Sequence, residues 1–264
     1  MLQTRILTAV VVLPLVIGLV FAGGWWSLAL ALGIALTAGW EFGRMMQAGG
    51  YRTTPFFTLA LILLLLFSYF RSDVSLECSL SAILLTSLVW QLFQKDSATP
   101  TADWALTLSG GLYIGWGMGH LVALRQLADG LAWVWLTLLA TWGADTFAYL
   151  IGRRWGRHKL WPRHSPKKSW EGLGGSFIGA LGGALIVIPF SNLSWTTGLV
   201  LGVIIPVVAL FGDLAESMMK RHVGVKDSSE LFPGHGGFLD RIDSLLFVGV
   251  VVYHYAIWRG VLGL

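Results

Sequence analysis

The stretch from Asp213 to Asp243 is the most polar part of an otherwise apolar chain. It holds four aspartates, two glutamates and four lysines or arginines. Its first residues recur at helical spacing, which places five polar side chains on one helix face: Asp213, Glu216, Ser217, Lys220 and Arg221. A segment that only joins two helices has no need of such a pattern. The spacing therefore predicts that chemistry is concentrated here.

A glycine-rich turn and a second acidic pair follow in the same stretch. Pro233-Gly234 and Gly236-Gly237 favour a tight turn with exposed backbone amides. Asp240 and Asp243 then share a helix face as the next apolar run begins. Carboxylates on two helices, with lysines and a glycine-rich loop, suit Mg²⁺ and a polyphosphate. The alternative is a solvated loop whose charges pair with one another.

A second polar constellation precedes this stretch. Asp145 lies in an apolar run, where a charged side chain costs about 2.5–3.5 kcal/mol at the helix centre, so it needs a partner or a wet cavity. Ser165-Pro166-Lys167-Lys168-Ser169 offers hydroxyls and amines beside the start of the next helix, a natural place for an anion. The basic residues from Arg153 to Lys168 could instead act only as a topology determinant that contacts anionic lipid headgroups.

Together these motifs resemble the phosphatidate cytidylyltransferase (CDP-diacylglycerol synthase) family. The resemblance rests on a long pattern, matched without departure: Ser217-x-x-Lys220-Arg221, Lys226-Asp227, Pro233-Gly234-His235-Gly236-Gly237 and Asp240-Arg241-x-Asp243. Trp142-x-x-Asp145-Thr146 and Ser165-Pro166-x-Lys168-Ser169 are similar to two further stretches of that family. The close similarity covers about residues 140–260, whereas the first four apolar runs match only in being apolar.

The resemblance implies transfer of the cytidylyl group of CTP to phosphatidic acid, with Mg²⁺ or a pair of cations as cofactor. Asp213 and Asp240 are then expected to bind metal, supported by Asp145 and Asp243. Three basic residues, Lys220, Arg221 and Lys226, are expected to act in catalysis by neutralising phosphates. The expected substrate-binding residues are Ser165, Lys167, Lys168, Ser169, Ser217, His235, Gly236, Gly237 and Arg241. Which basic cluster holds CTP and which holds the lipid stays open, and His235 could equally cap backbone.

Two other functions compete with this one. A related CTP-dependent lipid or polyprenol kinase, or a cytidylyltransferase for another lipid, would use a similar site on a different acceptor. An ion-coupled transporter could also keep aspartates within a membrane. The charges nevertheless concentrate at one membrane face, and the two halves of the chain do not repeat a pair of broken helices.

Composition defines the class of protein that must position these residues. The chain has 264 residues, 55% hydrophobic and 12% charged, with a mean hydropathy of +0.71. Soluble domains carry about twice that charged fraction. These values predict an all-α polytopic membrane protein. A nucleic-acid partner is excluded, because no basic arm or soluble module exists to bind one, and the single cysteine, Cys78, rules out an intrachain disulfide.

The apolar runs predict a bundle of about nine transmembrane helices in a single integral membrane domain, residues 1–264. Helices in 1–100 precede the segment 101–264 that carries the motifs. The predicted spans cover residues 6–22, 24–40, 56–70, 76–94, 104–124, 131–152, 173–190, 197–213 and 245–264. Glycines repeat every four residues in the fifth and seventh spans, which predicts close helix contacts. Trp40-Glu41 also resembles the family at this point, but an interfacial aromatic with a helix-end charge is at least as good an interpretation.

The distribution of lysine and arginine predicts the orientation. With nine spans and a cytoplasmic amino terminus, 15 of the 18 basic residues fall on the inner side and three, Arg71, Arg125 and Arg259, on the outer side. Both polar constellations then face the cytoplasm, where nucleotides are found. The expected location is a bacterial inner membrane, and the expected partners are CTP, phosphatidic acid and the bilayer, with a homodimer left open.

Overall fold

The structure, a computed structural model, describes residues 14–71, 73–229 and 236–262. Within these residues the chain forms nine helices and one two-stranded hairpin, which confirms the all-α prediction. The first helix, α1, covers residues 14–22 of the described chain. The remaining elements follow in order: α2 (Gly24–Ala48), α3 (Pro55–Phe70), α4 (Leu76–Leu92), α5 (Pro100–Gln126), α6 (Gly130–Trp155), β1 (Lys159–Trp161), β2 (Ser165–Ser169), α7 (Trp170–Val187), α8 (Trp195–His222) and α9 (Leu239–Leu262).

Within the described residues each predicted span corresponds to one helix, and several helices are longer than the apolar run that revealed them; residues 6–13 of the first span and 263–264 of the last lie outside the described residues. By length and composition, five of the described helices can cross a membrane: α2, α6, α7 with the 3₁₀ turn Ile188–Phe190 that extends it, α8 and α9. Helices α3 and α4 are apolar but shorter. Helix α8 continues through its polar face to His222, as the helical spacing of that face predicts.

The chain divides into two compact units, and the prediction of a single domain stays a prediction. One unit comprises residues up to Ala123 together with His222–Arg241, and the other comprises Leu124–Arg221 and the residues from Ile242 onward. In the first unit, the glycine stripe of α5 lies against α3. A β-carbon at Gly111 or Gly115 would press on Leu61 or Leu65. This contact confirms that the stripe is a packing face.

In the second unit, the glycine stripe of α7 packs directly on the backbone of α6. A β-carbon at Gly179 would collide with the Gly143 carbonyl, and one at Gly183 with the Leu139 carbonyl. Helices α8 and α9 also approach closely, because Ser244 Oγ donates a hydrogen bond of 3.2 Å to the Ala209 carbonyl. The two glycine stripes therefore serve separate contacts, one in each unit.

The hairpin was not predicted. The basic segment after α6 was interpreted as a loop, yet β1 and β2 pair antiparallel with Lys159 opposite Ser169 and Trp161 opposite Ser165. Its strands are three and five residues long and largely exposed, and Pro166 lies within β2. Such short polar strands carry little periodic signal, which is why the sequence did not reveal them.

The interpretation of Trp40-Glu41 as a helix end was wrong. Helix α2 continues to Ala48, so Glu41 lies in its interior and is fully buried. Trp40 remains exposed, as expected of an aromatic side chain on a membrane-facing surface.

Candidate active site

A cavity of about 690 Å³ lies within the second unit. Helices α6, α7 and α8 and the hairpin form its walls. Its polar lining consists of Asp145, Tyr149, Arg153, Lys159, Ser165, Lys167, Lys168, Ser169, Ser176 and Asp213. Its apolar lining includes Leu160, Leu173 and Pro206, a proline inside α8. A cavity lined by both charged and apolar groups can hold an amphipathic substrate.

Two aspartates and a lysine form the charged centre of this cavity. Lys168 Nζ lies 2.6 Å from Asp213 Oδ2, and the two side chains are 22% and 35% exposed. Asp145 lines the same cavity, and its side chain is exposed. The structure thus brings together Asp145, Lys168 and Asp213, which are far apart in the chain.

The hairpin is held to the start of α7 by two side chains. Ser169 is the N-cap of α7, because its Oγ accepts a hydrogen bond of 3.1 Å from Gly172 N. Glu171 accepts hydrogen bonds from the backbone amides of Arg157 and His158 and from His158 Nδ1 at 2.6 Å. These contacts fix the strand that carries Lys167 and Lys168. Ser169 therefore has a structural contact, and its substrate-binding role stays a prediction.

The polar face of α8 is largely paired within the helix. Lys220, a predicted phosphate-neutralising residue, lies 2.9 Å from the fully buried Glu216. Ser217 Oγ donates a hydrogen bond of 3.3 Å to Asp213. Asp243 lies within electrostatic range of Asp213 and Lys220. Arg221 is exposed on the last turn of α8.

The remaining predicted residues belong to the first unit. Asp240 Oδ2 accepts hydrogen bonds from Ser228 N at 3.0 Å, Ser228 Oγ at 2.9 Å and Gly237 N at 2.9 Å. Gly236 has a φ of 75°, in the left-handed region that favours glycine. Lys226 and Arg241 are exposed, and His235 lies outside the described residues. Because Asp240 and Asp213 belong to different units, the expectation that they share a metal stays a prediction.

The predicted site residues did not include Glu41, which the structure places in contact with the polar stretch. Its carboxylate accepts hydrogen bonds from Ser229 Oγ, Phe238 N and Leu239 N, so it contacts both sides of the glycine-rich turn. The available signal was a glutamate interrupting the second apolar run, which was assigned to a helix end instead.

The donor set of the cavity fits a divalent cation. Mg²⁺ takes one or two carboxylates and completes its shell with water and phosphate oxygens, and Asp145 and Asp213 present two carboxylates to one cavity. Among the described residues, no three His, Cys, Asp or Glu side chains form a cage able to hold a metal without other ligands. A cation held by these two carboxylates would therefore need further ligands, such as water or phosphate oxygens.

Comparisons with known proteins identify the family of this chain. A model described as "Cytidylyltransferase family" matches residues 3–258. Similar proteins named phosphatidate cytidylyltransferase occur in Synechocystis sp., 37% identical over 96% of this chain and 96% of the relative, and in Thermotoga maritima, 34% identical over 96% and 95%. A third, in Pseudomonas aeruginosa, is 36% identical over 98% and 97% of the two chains. The match extends over the amino-terminal helices as well as the polar motifs, and the chain belongs to the cytidylyltransferase family.

Proposed function

We propose that this protein transfers the cytidylyl group of CTP to phosphatidic acid and releases CDP-diacylglycerol and pyrophosphate. The single observation that carries this function is the cavity in which Asp145, Lys168 and Asp213 converge in a member of the cytidylyltransferase family. The chain is an integral membrane protein, so a lipid substrate can reach the site from the bilayer that surrounds it.

The reaction is an in-line displacement at phosphorus. An oxygen of the lipid phosphate forms a bond to the α-phosphorus of CTP, while the bond from that phosphorus to the bridging oxygen of the β-phosphate breaks and pyrophosphate leaves. The attacking group is an ionised phosphate, so no protein nucleophile is required. Catalysis of this kind consists of positioning and of neutralising charge on the phosphates.

The basic residues of the cavity supply that neutralisation. Lys159, Lys167 and Lys168 line it from the hairpin, and Arg153 lines it from the last turn of α6. Lys168 is ion-paired with Asp213, and that contact orients its ammonium group toward the cavity. The apolar lining near Leu173 and Pro206 accommodates the glycerol and first acyl carbons of the lipid.

Asp145 and Asp213 are the residues that would hold Mg²⁺. A cation bound there would supply positive charge to the phosphate oxygens, whose negative charge increases as pyrophosphate leaves. Before substrate binds, Lys168 neutralises Asp213, with which it forms an ion pair. Asp240 as a further metal ligand remains part of the proposal, on the strength of the family pattern alone.

The orientation is also part of the proposal. The excess of lysine and arginine on one side supports a cytoplasmic amino terminus and a cavity that opens to the cytoplasm of a bacterial inner membrane. The cytoplasm is the compartment that contains CTP.

Purified protein in detergent tests the reaction. With CTP labelled at the α-phosphate, we expect label in the lipid product and equimolar pyrophosphate. Asp145→Asn and Asp213→Asn should each lower turnover by at least about 10²-fold, and the double variant should be scarcely slower, because the groups act as a unit. Asp96→Asn, at a side chain that is 89% exposed, is the matched control and should keep full activity.

Two outcomes would contradict the proposal. Label appearing in the lipid from the γ-phosphate of CTP would indicate a kinase. A preference for a polyprenyl phosphate over phosphatidic acid in the same assay would assign a different acceptor.

A further inference from the structure

Glu41 is a fully buried carboxylate on α2, within a helix long and apolar enough to span the membrane. Burying an ionisable group there is costly unless hydrogen bonds satisfy it. A side chain kept in this position therefore has strong contacts or a specific task. The hydrogen bonds that the Glu41 carboxylate accepts indicate what this side chain does.

Both carboxylate oxygens of Glu41 accept hydrogen bonds from the polar stretch near the carboxyl end of the chain. Oε1 accepts from Ser229 Oγ at 2.6 Å and from Phe238 N at 3.1 Å. Oε2 accepts from Leu239 N at 2.9 Å and lies 3.4 Å from Ser228 Oγ. In the part of the chain that the structure describes, these partners are hydroxyls and amides, and none is a lysine or arginine.

The two backbone donors, Phe238 N and Leu239 N, lie at the start of α9. Leu239 is the first residue of α9, and Phe238 immediately precedes it, so Glu41 places a carboxylate at the amino-terminal end of that helix. Helix amino termini have unsatisfied amides and a partial positive charge, and a carboxylate satisfies both. Glu41 thus caps α9 from a helix almost two hundred residues earlier in the chain.

The same hydrogen-bond network includes Asp240, a predicted metal ligand. Ser228 Oγ donates to Asp240 Oδ2 at 2.9 Å and is shared with Glu41 at 3.4 Å. Asp240 also accepts from Gly237 N. Glu41 and Asp240 therefore hold residues 228–229 and 237–239 together from two sides.

Gly237 gives independent evidence that this packing is tight. A β-carbon built there would collide with Ser228 Oγ and lie 2.5 Å from Glu41 Oε2. Only glycine leaves room for the carboxylate. The glycine of the family pattern is thus matched to the glutamate of α2.

We infer that Glu41 is a positioning residue for the cytidylyl transfer: it fixes both sides of the glycine-rich turn and the first turn of α9, where Asp240 and Arg241 lie. This inference rests on the proposed function. It gives the amino-terminal helices a part in the reaction, although the catalytic motifs lie elsewhere in the sequence. Glu41 acts through hydrogen bonds to residues that follow Lys226 and contacts no reacting atom.

Glu41→Gln is the direct test, because it keeps the shape of the side chain but replaces one acceptor oxygen by a donor. That donor must face either Ser229 Oγ and Phe238 N, or Leu239 N and Ser228 Oγ. A displacement of about 1 Å at a reacting group can lower the rate about 10²-fold. We expect kcat to fall about 10–100-fold while KM for CTP and for phosphatidic acid changes less than about threefold, since a misplaced catalytic group acts in the transition state.

The matched control is Glu77→Gln, the same chemical change at an exposed carboxylate in the same unit, which should keep wild-type kinetics. Ser229→Ala is the second variant. It removes the donor of the 2.6 Å contact without adding an unmatched group, so it should fold and lower kcat by roughly 3–10-fold. Hydrogen exchange at the amides of residues 237–239 should accelerate in both variants.

The outcomes are distinguishable. An inactive wild-type protein would contradict the proposed function. Hydrogen exchange at residues 237–239 would then still test whether Glu41 caps α9. With an active wild type, a Glu41→Gln kcat within twofold of normal, or a rise in KM with kcat unchanged, would overturn the positioning role. If Glu41→Gln does not fold, an unchanged kcat in Ser229→Ala overturns it.

Discussion

The contact between α6 and α7 provides the sharpest prediction about how this protein holds its cavity. Gly179 faces the Gly143 carbonyl, and a β-carbon there would also lie 3.0 Å from Phe147 Cβ. Ordinary contacts between carbon atoms are about 3.5–4.0 Å. Gly179→Ala therefore requires the two helices to separate by about 1 Å. Since the obstacle is backbone, rotation of a side chain cannot relieve it.

The magnitude follows from a matched pair on one helix. Gly182 is exposed on α7, and a β-carbon there would meet nothing within 4 Å. Both changes gain about 0.5–1 kcal/mol of helix propensity, and only Gly179→Ala overpacks a contact, at about 1–3 kcal/mol. The difference in free energy of unfolding between the two variants should thus be about 1–3 kcal/mol, with Gly182→Ala at or above wild type.

Thermal unfolding in detergent, followed by intrinsic tryptophan fluorescence, measures this difference. Each kcal/mol corresponds to about 2–4 °C in a protein of this size, so Gly179→Ala should melt several degrees below Gly182→Ala. Activity should fall as well, because Gly143 lies two residues before Asp145 on α6. Identical melting temperatures for the two variants would show that the stripe does not carry the contact.

Two further predictions concern the hairpin and the orientation. Ser169→Ala removes the cap of α7 and should lower the free energy of unfolding by about 1 kcal/mol in the same melting assay. Ser165→Ala removes no cap and should leave the free energy of unfolding unchanged. Equal losses in the two variants would refute the capping role of Ser169. In a Cys78→Ser background, an impermeant thiol reagent applied to intact cells should label Asn192→Cys and not Arg157→Cys, and the reverse pattern would overturn the cytoplasmic assignment.

The first unit shows why part of the fold could be predicted and part could not. Apolar runs of membrane length predict helices directly, because the length and composition of one run are enough to identify a segment that can span the membrane. Helix boundaries failed where polar residues continue a helix: α2 extends to Ala48 past a predicted end near Trp40. A buried glutamate and an interfacial one look alike in sequence. Only its partner distinguishes them, and that partner is 198 residues away.

The sequence by itself determined the class of protein, the nine helices and the residue types of the site. Those features depend on local composition, on helical spacing and on motifs that extend over a few residues. Only the tertiary structure decided which charges meet: Lys168 pairs with Asp213, whereas Lys220 pairs with Glu216 on its own helix. Spacing specifies which side chains share a helix face, but which distant face packs against it depends on contacts such as the glycine-to-backbone approach of α6 and α7.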